Sequence, residues 1–129
     1  MAWFSGETEG ADRCAIVVSK RDADKGAVWS KPVVASVETG RSAQNPVLYV
    51  WQGELHLLHT SQRAGPLGDS QRYSRVQRVC MQSEDGGWEE PTIIMPEGRG
   101  AFIRGPILES GEFCLGDSDR SGFKQFKIR

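Results

Sequence analysis

The side chains best suited to metal binding or thiol chemistry are three cysteines and two histidines. Cys14, Cys80 and Cys114 are odd in number and form no Cys-x-x-Cys pair, the spacing that is typical of zinc and redox motifs. His56 and His59 are three residues apart, so on a strand they point to opposite faces of a sheet. We therefore expect reduced, buried thiols, no metal site and no cofactor.

Basic side chains are a second group that could carry a function. Sixteen lysines and arginines are balanced by 17 acidic residues, so no net field draws the chain to nucleic acid or to an anionic surface. Arg72, Arg75 and Arg78 are the densest cluster, but a spacing of three divides them between the faces of a strand. We expect a solvated surface here and no nucleic-acid partner.

The sequence also lacks the patterns of membrane insertion and secretion. No apolar run reaches the roughly 18 residues of a membrane span. The first residues, MAWFSGE, contain neither a basic n-region nor an apolar h-region. We expect no membrane partner and, by default, a cytoplasmic location, although a truncated start would hide a leader.

The elements that must position any site are strands. Glycine and proline interrupt the chain about every ten residues, and no window has a sustained helical stripe of apolar residues. The segment SEDGGWEEP at 83–91 predicts a tight turn, because paired glycines reach positive φ and aspartate can bond its own backbone. The predicted strands are 1–4, 13–19, 31–36, 45–51, 54–60, 73–82, 91–95, 104–108, 112–116 and 122–128.

An internal repeat organises these strands. The motif Trp-x-x-Pro begins at Trp29 and again at Trp88, 59 positions later. Prolines at 46 and 106 and Gly-Glu-apolar triplets at 53–55 and 111–113 keep nearly the same offset. A long repeat that is rich in strands predicts a blade-like β unit.

Two of the turns resemble a known motif. Asp24-x-Gly26-x-x-Trp29 and the segment SEDGGW at 83–88 look like the Asp-box of bacterial neuraminidase (BNR) repeats, Ser/Thr-x-Asp-x-Gly-x-x-Trp/Phe. The first box has Asp22 where Ser or Thr is usual, and the second lacks the two residues before its tryptophan. Together with the order of the surrounding strands, the boxes are similar to sialidase-related six-bladed β-propellers over nearly the whole chain.

The resemblance implies an all-β fold, a partial β-propeller of four-stranded antiparallel blades. Its expected parts are a blade remnant at 1–44, a complete blade at 45–95 and the start of a third blade at 96–129. Asp-boxes lie at the blade periphery in that family. The tryptophans should therefore pack against the blades and fix the turns without doing chemistry.

Only one catalytic residue carries over from the family motif. The family's acid/base aspartate follows a glycine by two positions, which implies Asp12, with Glu9 as a substitute; a loop aspartate that caps a turn is the alternative. Arg41, Asn45 and Arg104 precede or open predicted inner strands and are candidates for substrate binding, with a surface or rim role as the alternative.

The rest of the family's machinery has no counterpart in this sequence. Sialidases hold the substrate carboxylate with three arginines and attack with a tyrosine. The first of these arginines should precede Met1, and the others should follow in later blades. Neither Tyr49 nor Tyr73 has a supporting glutamate that would mark it as the nucleophile.

The function implied by the resemblance is that of a sialidase-like, glycan-processing propeller domain that is inactive as an isolated chain. Its expected ligand is sialic acid or another glycan. The alternative is a non-catalytic glycan- or protein-binding module that assembles with other blades or copies of itself, since three copies of two blades would make six. A small β-sandwich that contains two such turns is a third interpretation.

Overall fold

The computed structural model describes residues 1–22, 24, 26, 28–65, 71–82, 87–98 and 101–103, together with the strands at 112–117 and 123–127. These residues form antiparallel strands joined by turns, which confirms the predicted all-β fold. Within them, no helix is long and apolar enough to cross a membrane.

In the described part of the chain, ten strands form three antiparallel sheets. The first sheet has the order β1-β2-β3, the second β4-β5-β6-β7 and the third β10-β9-β8. The strands are β1 (Ala2–Ser5), β2 (Ala15–Val18), β3 (Val33–Ser36), β4 (Arg41–Trp51), β5 (Glu54–Arg63), β6 (Arg75–Cys80), β7 (Thr92–Met95), β8 (Ala101–Ile103), β9 (Glu112–Asp117) and β10 (Phe123–Lys127).

The four-stranded sheet is sandwiched between the other two because both of its faces are apolar. Leu57 and Val79 are neighbours across β5 and β6, and they pack with Ile16 and Val18 of the first sheet. Side chains on the other face of the sheet, among them Leu58, pack against β8. Strand β5 is buried on both faces from residue 56 to residue 62, although only Leu57 and Leu58 in that stretch are apolar.

The hairpin between β4 and β5 is set by its two-residue turn. Gln52 and Gly53 have φ values of 52° and 85°, which is the conformation that a type I′ hairpin requires at both central positions. Glycine adopts this conformation without strain, and the resulting register pairs Trp51 with Glu54. The predicted strands 45–51 and 54–60 lie within β4 and β5, on either side of this turn.

Several strand ends differ from the predictions. Strand β4 begins at Arg41, four residues before the predicted start, and continues through a bulge between Gln44 and Val47. Its polar beginning is buried and hydrogen-bonded, so an apolar pattern could not reveal it. The third sheet begins with β8 at Ala101–Ile103, ahead of the predicted strand at 104–108, which lies outside the described residues.

The two Asp-box segments occupy equivalent positions, since one follows β2 and the other follows β6. Trp29 pairs with Arg21 in an isolated bridge, and Trp88 pairs with Met81 in another. In the first box, the Asp22 carboxylate accepts a hydrogen bond from the Asp24 amide at 3.0 Å. Residues 23, 25, 27 and 83–86 lie outside the described part of the chain.

The predicted role of the tryptophans holds for one of the two. Trp88 is half-buried and packs against the core between the first and second sheets. Trp29 is 45% exposed and is not among the described residues that pack against either core. The exposed neighbour Val28 continues this apolar surface beside the turn.

Candidate functional site

The connections β1–β2 and β3–β4 and the described beginning of β5–β6 meet at one end of the sheets, called the loop edge below. The Arg13 amide donates to the Arg41 carbonyl at 2.8 Å, and the Ala64 amide donates to the Gly40 carbonyl at 3.0 Å. The Gly65 amide reaches the Gly10 carbonyl at 3.4 Å. Backbone hydrogen bonds therefore join residues that are far apart in sequence into one surface.

Asp12 lies on this loop edge with its side chain exposed. Its Oδ1 accepts a hydrogen bond from the Gly40 amide at 2.6 Å. Positive φ at Gly10 (82°) and Arg13 (58°) turns the chain on either side. The carboxylate is thus held in position, and it both ties two loops together and faces solvent.

The other candidates from the sequence are placed differently. Glu9 is exposed on the same loop as Asp12. Asn45 is exposed in the bulge of β4 with φ of 50°, a conformation that asparagine tolerates better than most residues. It is four residues along the strand from Arg41, or about 13 Å. Arg104 lies outside the described residues.

Arg41 is buried at the start of β4, with 7% of its surface exposed. Its Nε donates to Ser61 Oγ at 2.8 Å, and its Nη2 donates to the carbonyl oxygens of Ser61 and Tyr73. Its Nη1 donates to the Glu97 carboxylate. The guanidinium therefore fastens β4 to β5, to the segment before β6 and to the segment after β7.

Glu97 joins two arginines, because Arg63 Nη2 donates to its second oxygen at 2.9 Å. Burial raises the pKa of Glu97, but the hydrogen bonds and charges of Arg41 and Arg63 outweigh burial and hold this pKa below its ordinary value. The Arg63 guanidinium also lies 4.3 Å from the centroid of the Tyr73 ring. The carboxylate thus occupies the position that an anionic ligand of these arginines would take.

A second buried ionisable group lies beside this cluster. His59 is 1% exposed, and its Nδ1 lies 3.2 Å from the Thr60 carbonyl oxygen. Burial lowers the pKa of His59 from 6.5 to about 4, against the opposing effect of that hydrogen bond; the charge of Arg75 lowers it further and that of Glu38 raises it. Arg75 and Glu38 form an ion pair of their own.

Asp12 and Arg41, both candidates from the sequence, are linked only through the backbone. The Asp12 carboxylate accepts from the Gly40 amide and the Arg41 carbonyl accepts from the Arg13 amide, whereas the Arg41 guanidinium binds other residues. Glu97 and Arg63 were not singled out, because their link to Arg41 depends on strand register and on a segment 56 residues away. No local sequence signal reports such a contact.

One group of metal-ligating side chains lies at the opposite end of the four-stranded sheet. Glu54, His56 and Cys80 place one ligand atom each within 4.8 Å of the others. By sequence spacing, the nearest candidate partner of His56 among the histidines and cysteines is His59. Those two histidines do lie on opposite faces, since Leu57 and Leu58 on this strand belong to different cores.

Comparisons with known proteins identify the family. The model of the BNR repeat-like domain matches residues 1–118. No curated protein and no solved structure matches the chain. Since the match covers most of the chain and the sheets are antiparallel with three and four strands, the chain belongs to the BNR repeat-like family of the sialidase superfamily and folds as a partial β-propeller.

Proposed function

We propose that this chain is a glycan-directed, sialidase-like propeller segment, which binds a sialic acid-type sugar at its loop edge and does not hydrolyse it alone. Membership of the BNR repeat-like family supports the choice of ligand class. The position of Asp12 supports the choice of surface. The expected absence of turnover is based on the hydrogen bonds that already occupy the Arg41 guanidinium.

Asp12 has the properties of a residue that contacts a sugar. One carboxylate oxygen is fixed by the Gly40 amide, which orients the side chain, while the side chain itself is exposed. A carboxylate held in this way can accept a hydrogen bond from a sugar hydroxyl or exchange a proton with a glycosidic oxygen. Glu9 on the same loop offers a second acceptor.

Arg41 is unsuited to hold a substrate carboxylate as the structure stands. Its guanidinium makes four hydrogen bonds within the protein, one of them to Glu97. A ligand would have to displace Glu97 from both Arg41 and Arg63. Without an arginine clamp, an acid at the loop edge lacks the positioning and electrostatic stabilisation that turnover needs.

The test combines turnover with binding on the purified 129-residue chain. Hydrolysis of a fluorogenic sialoside measures turnover, and titration with free sialic acid, followed by ligand-observed NMR, measures affinity. We expect no turnover and measurable binding. Steady hydrolysis by the isolated chain would contradict the first part, and the absence of any binding would contradict the second.

Matched substitutions localise the binding. Asp12→Asn retains an oxygen for the Gly40 amide and removes only the charge, so the loop should keep its shape. We expect affinity to fall about 10-fold, the value of one hydrogen bond to a charged group. Asp24→Asn, in the exposed turn between β2 and β3, is the control and should leave affinity unchanged.

A second candidate function, assembly with further blades, is favoured by an apolar row on the first sheet. Trp3, Val17 and Val34 are direct neighbours across its three strands, so they share a face. That face is opposite to the one on which Ile16 and Val18 contact the core. Val34 is 56% exposed, and we propose that another copy of the chain packs here.

Light scattering tests this alternative. A solution mass of two or more chains that falls to one chain in Val34→Lys would support assembly through this face. A monomer at high protein concentration would contradict it. Thr92→Lys, at an exposed position on β7, is a control for the added charge.

A further inference from the structure

Strand register gathers three ligand-type side chains on one face of the second sheet. Glu54 is the first residue of β5, and His56 follows two positions later, so both side chains point to the same face. Cys80, the last residue of β6, is the direct cross-strand partner of His56. The three side chains are therefore neighbours by the geometry of the sheet.

The distances between their ligand atoms fit a tetrahedral ion. Glu54 Oε2 lies 3.7 Å from His56 Nε2 and 3.7 Å from Cys80 Sγ. Tetrahedral zinc, with bonds of about 2.1 Å to nitrogen and oxygen and about 2.3 Å to sulfur, requires separations of about 3.4 Å and 3.6 Å. All three ligand atoms lie within 4.8 Å of one another.

His56 supplies an independent sign that a ligand is needed. Only 5% of the residue is exposed, and neither ring nitrogen has a hydrogen-bond partner. Leaving a buried polar atom unpaired is costly. The ring is held in place by stacking on Tyr49, with centroids 5.1 Å apart. An ion bound to Nε2 would give that nitrogen the partner it lacks.

The charges at this position favour a cation over an empty cluster. The Glu54 carboxylate lies 3.7 Å from both the His56 Nε2 and the Cys80 Sγ. A thiol that coordinates a divalent ion gives up its proton to solvent. The resulting thiolate and the Glu54 carboxylate would together neutralise the ion.

We propose that Glu54, His56 and Cys80 bind Zn²⁺, with water as the fourth ligand. A set of one sulfur, one imidazole nitrogen and one carboxylate oxygen suits zinc and disfavours Mg²⁺ and Ca²⁺, which take oxygen ligands. The Glu54 side chain is 64% exposed, so the ion can enter from solvent. This site lies at the other end of the sheet from the proposed sugar site and is independent of it.

Cobalt is the probe that reports the geometry directly. The chelator-treated chain is titrated with Co²⁺ under reducing conditions, and absorbance is recorded in the near-ultraviolet and visible regions. We expect a thiolate-to-cobalt charge-transfer band that saturates at one ion per chain and disappears on addition of Zn²⁺. Excess Mg²⁺ should leave the band intact. No such band at saturating Co²⁺ would overturn the proposal.

Variants separate this site from other thiols. Cys80→Ser should abolish the charge-transfer band, whereas Cys14→Ser, at a buried free thiol away from this cluster, should retain it. Glu54→Gln, at the exposed ligand, should weaken Zn²⁺ binding by at least about 10-fold. Even residues that only hydrogen-bond to metal ligands reduce metal affinity by about that factor when they are replaced. Glu90→Gln should bind as the parent does.

Two outcomes would contradict the assignment even if the chain binds cobalt. One is a charge-transfer band that persists in Cys80→Ser. The other is Zn²⁺ affinity that is unchanged in Glu54→Gln. Circular dichroism of each variant without metal shows whether the fold is kept, and Glu54→Gln keeps the test decisive if Cys80→Ser fails to fold.

Discussion

Replacing Arg41 by methionine tests whether this residue is a structural clamp. The substitution keeps most of the side-chain volume and removes every donor. The carbonyl oxygens of Ser61 and Tyr73 then lose a charged partner, and Glu97 loses one of its two arginines. The perturbation is thus confined to the hydrogen bonds of one guanidinium group.

The expected loss follows from the burial of the groups left behind. Breaking a buried ion pair by removing one partner costs about 3–5 kcal/mol. The Glu97 side chain is 28% exposed and still bound by Arg63, which places Arg41→Met at the lower end of that range. A loss of about 3 kcal/mol corresponds to a roughly 150-fold change in the unfolding equilibrium.

Urea unfolding followed by tryptophan fluorescence measures this loss by linear extrapolation. Arg63→Met is the matched control, since its side chain is 55% exposed and exposed pairs contribute about 1 kcal/mol or less. A loss below about 1 kcal/mol for Arg41→Met would refute the clamp. Arg41 would then be free to bind a ligand, as its position in the sequence predicts.

Three further predictions test other parts of the structure. Folding lowers the pKa of His59 to about 4. The stability of the fold should therefore be greatest above pH 6.5 and fall by about 3 kcal/mol as the pH drops towards 4. The urea midpoint should depend less on pH in His59→Gln, and an unchanged pH profile would contradict this assignment. Trp88→Ala should cost about 2 kcal/mol and Trp29→Ala less than about 1 kcal/mol in the same assay, because only Trp88 packs against the core; equal losses would contradict the packing. Gly53→Ala should cost about 1 kcal/mol through its positive φ alone, since no atom lies within 4 Å of the added Cβ, and a stabilising effect would refute the I′ turn.

The fold was largely predictable because its signals are local. Alternating apolar residues and the Gln52-Gly53 turn determine the hairpin of β4 and β5 without reference to the rest of the chain. The repeat of Trp-x-x-Pro located two equivalent turns. The exposure of Trp29 could not be read in this way, because packing depends on what lies beside the turn.

The polar parts of the structure were harder to predict because their partners are distant. The start of β4 contains Arg41, Ser42 and Gln44, all buried, and Gln44 donates to Ser42 Oγ at 2.8 Å. Such residues read as loop in an apolar pattern. These polar side chains can be buried because strand pairing places hydrogen-bond partners beside them.

The cluster of Glu54, His56 and Cys80 is also only partly visible in the sequence. Glu54 and His56 alternate on one strand, and that spacing is readable from the sequence. Cys80 joins them only through the register of β5 and β6. Cys-x-x-Cys and paired-histidine spacings therefore give no sign of a cluster that three single residues form.

Mapping sialic acid binding on the isotope-labelled chain by amide NMR tests the proposed function most directly. Amide shifts should change at Gly40 and Arg13, whose hydrogen bonds hold the loop edge, while the fluorogenic sialoside in a parallel sample stays intact. Shifts confined to the other end of the sheet, around Glu54, or no shifts at saturating sugar, would contradict a glycan site at the loop edge.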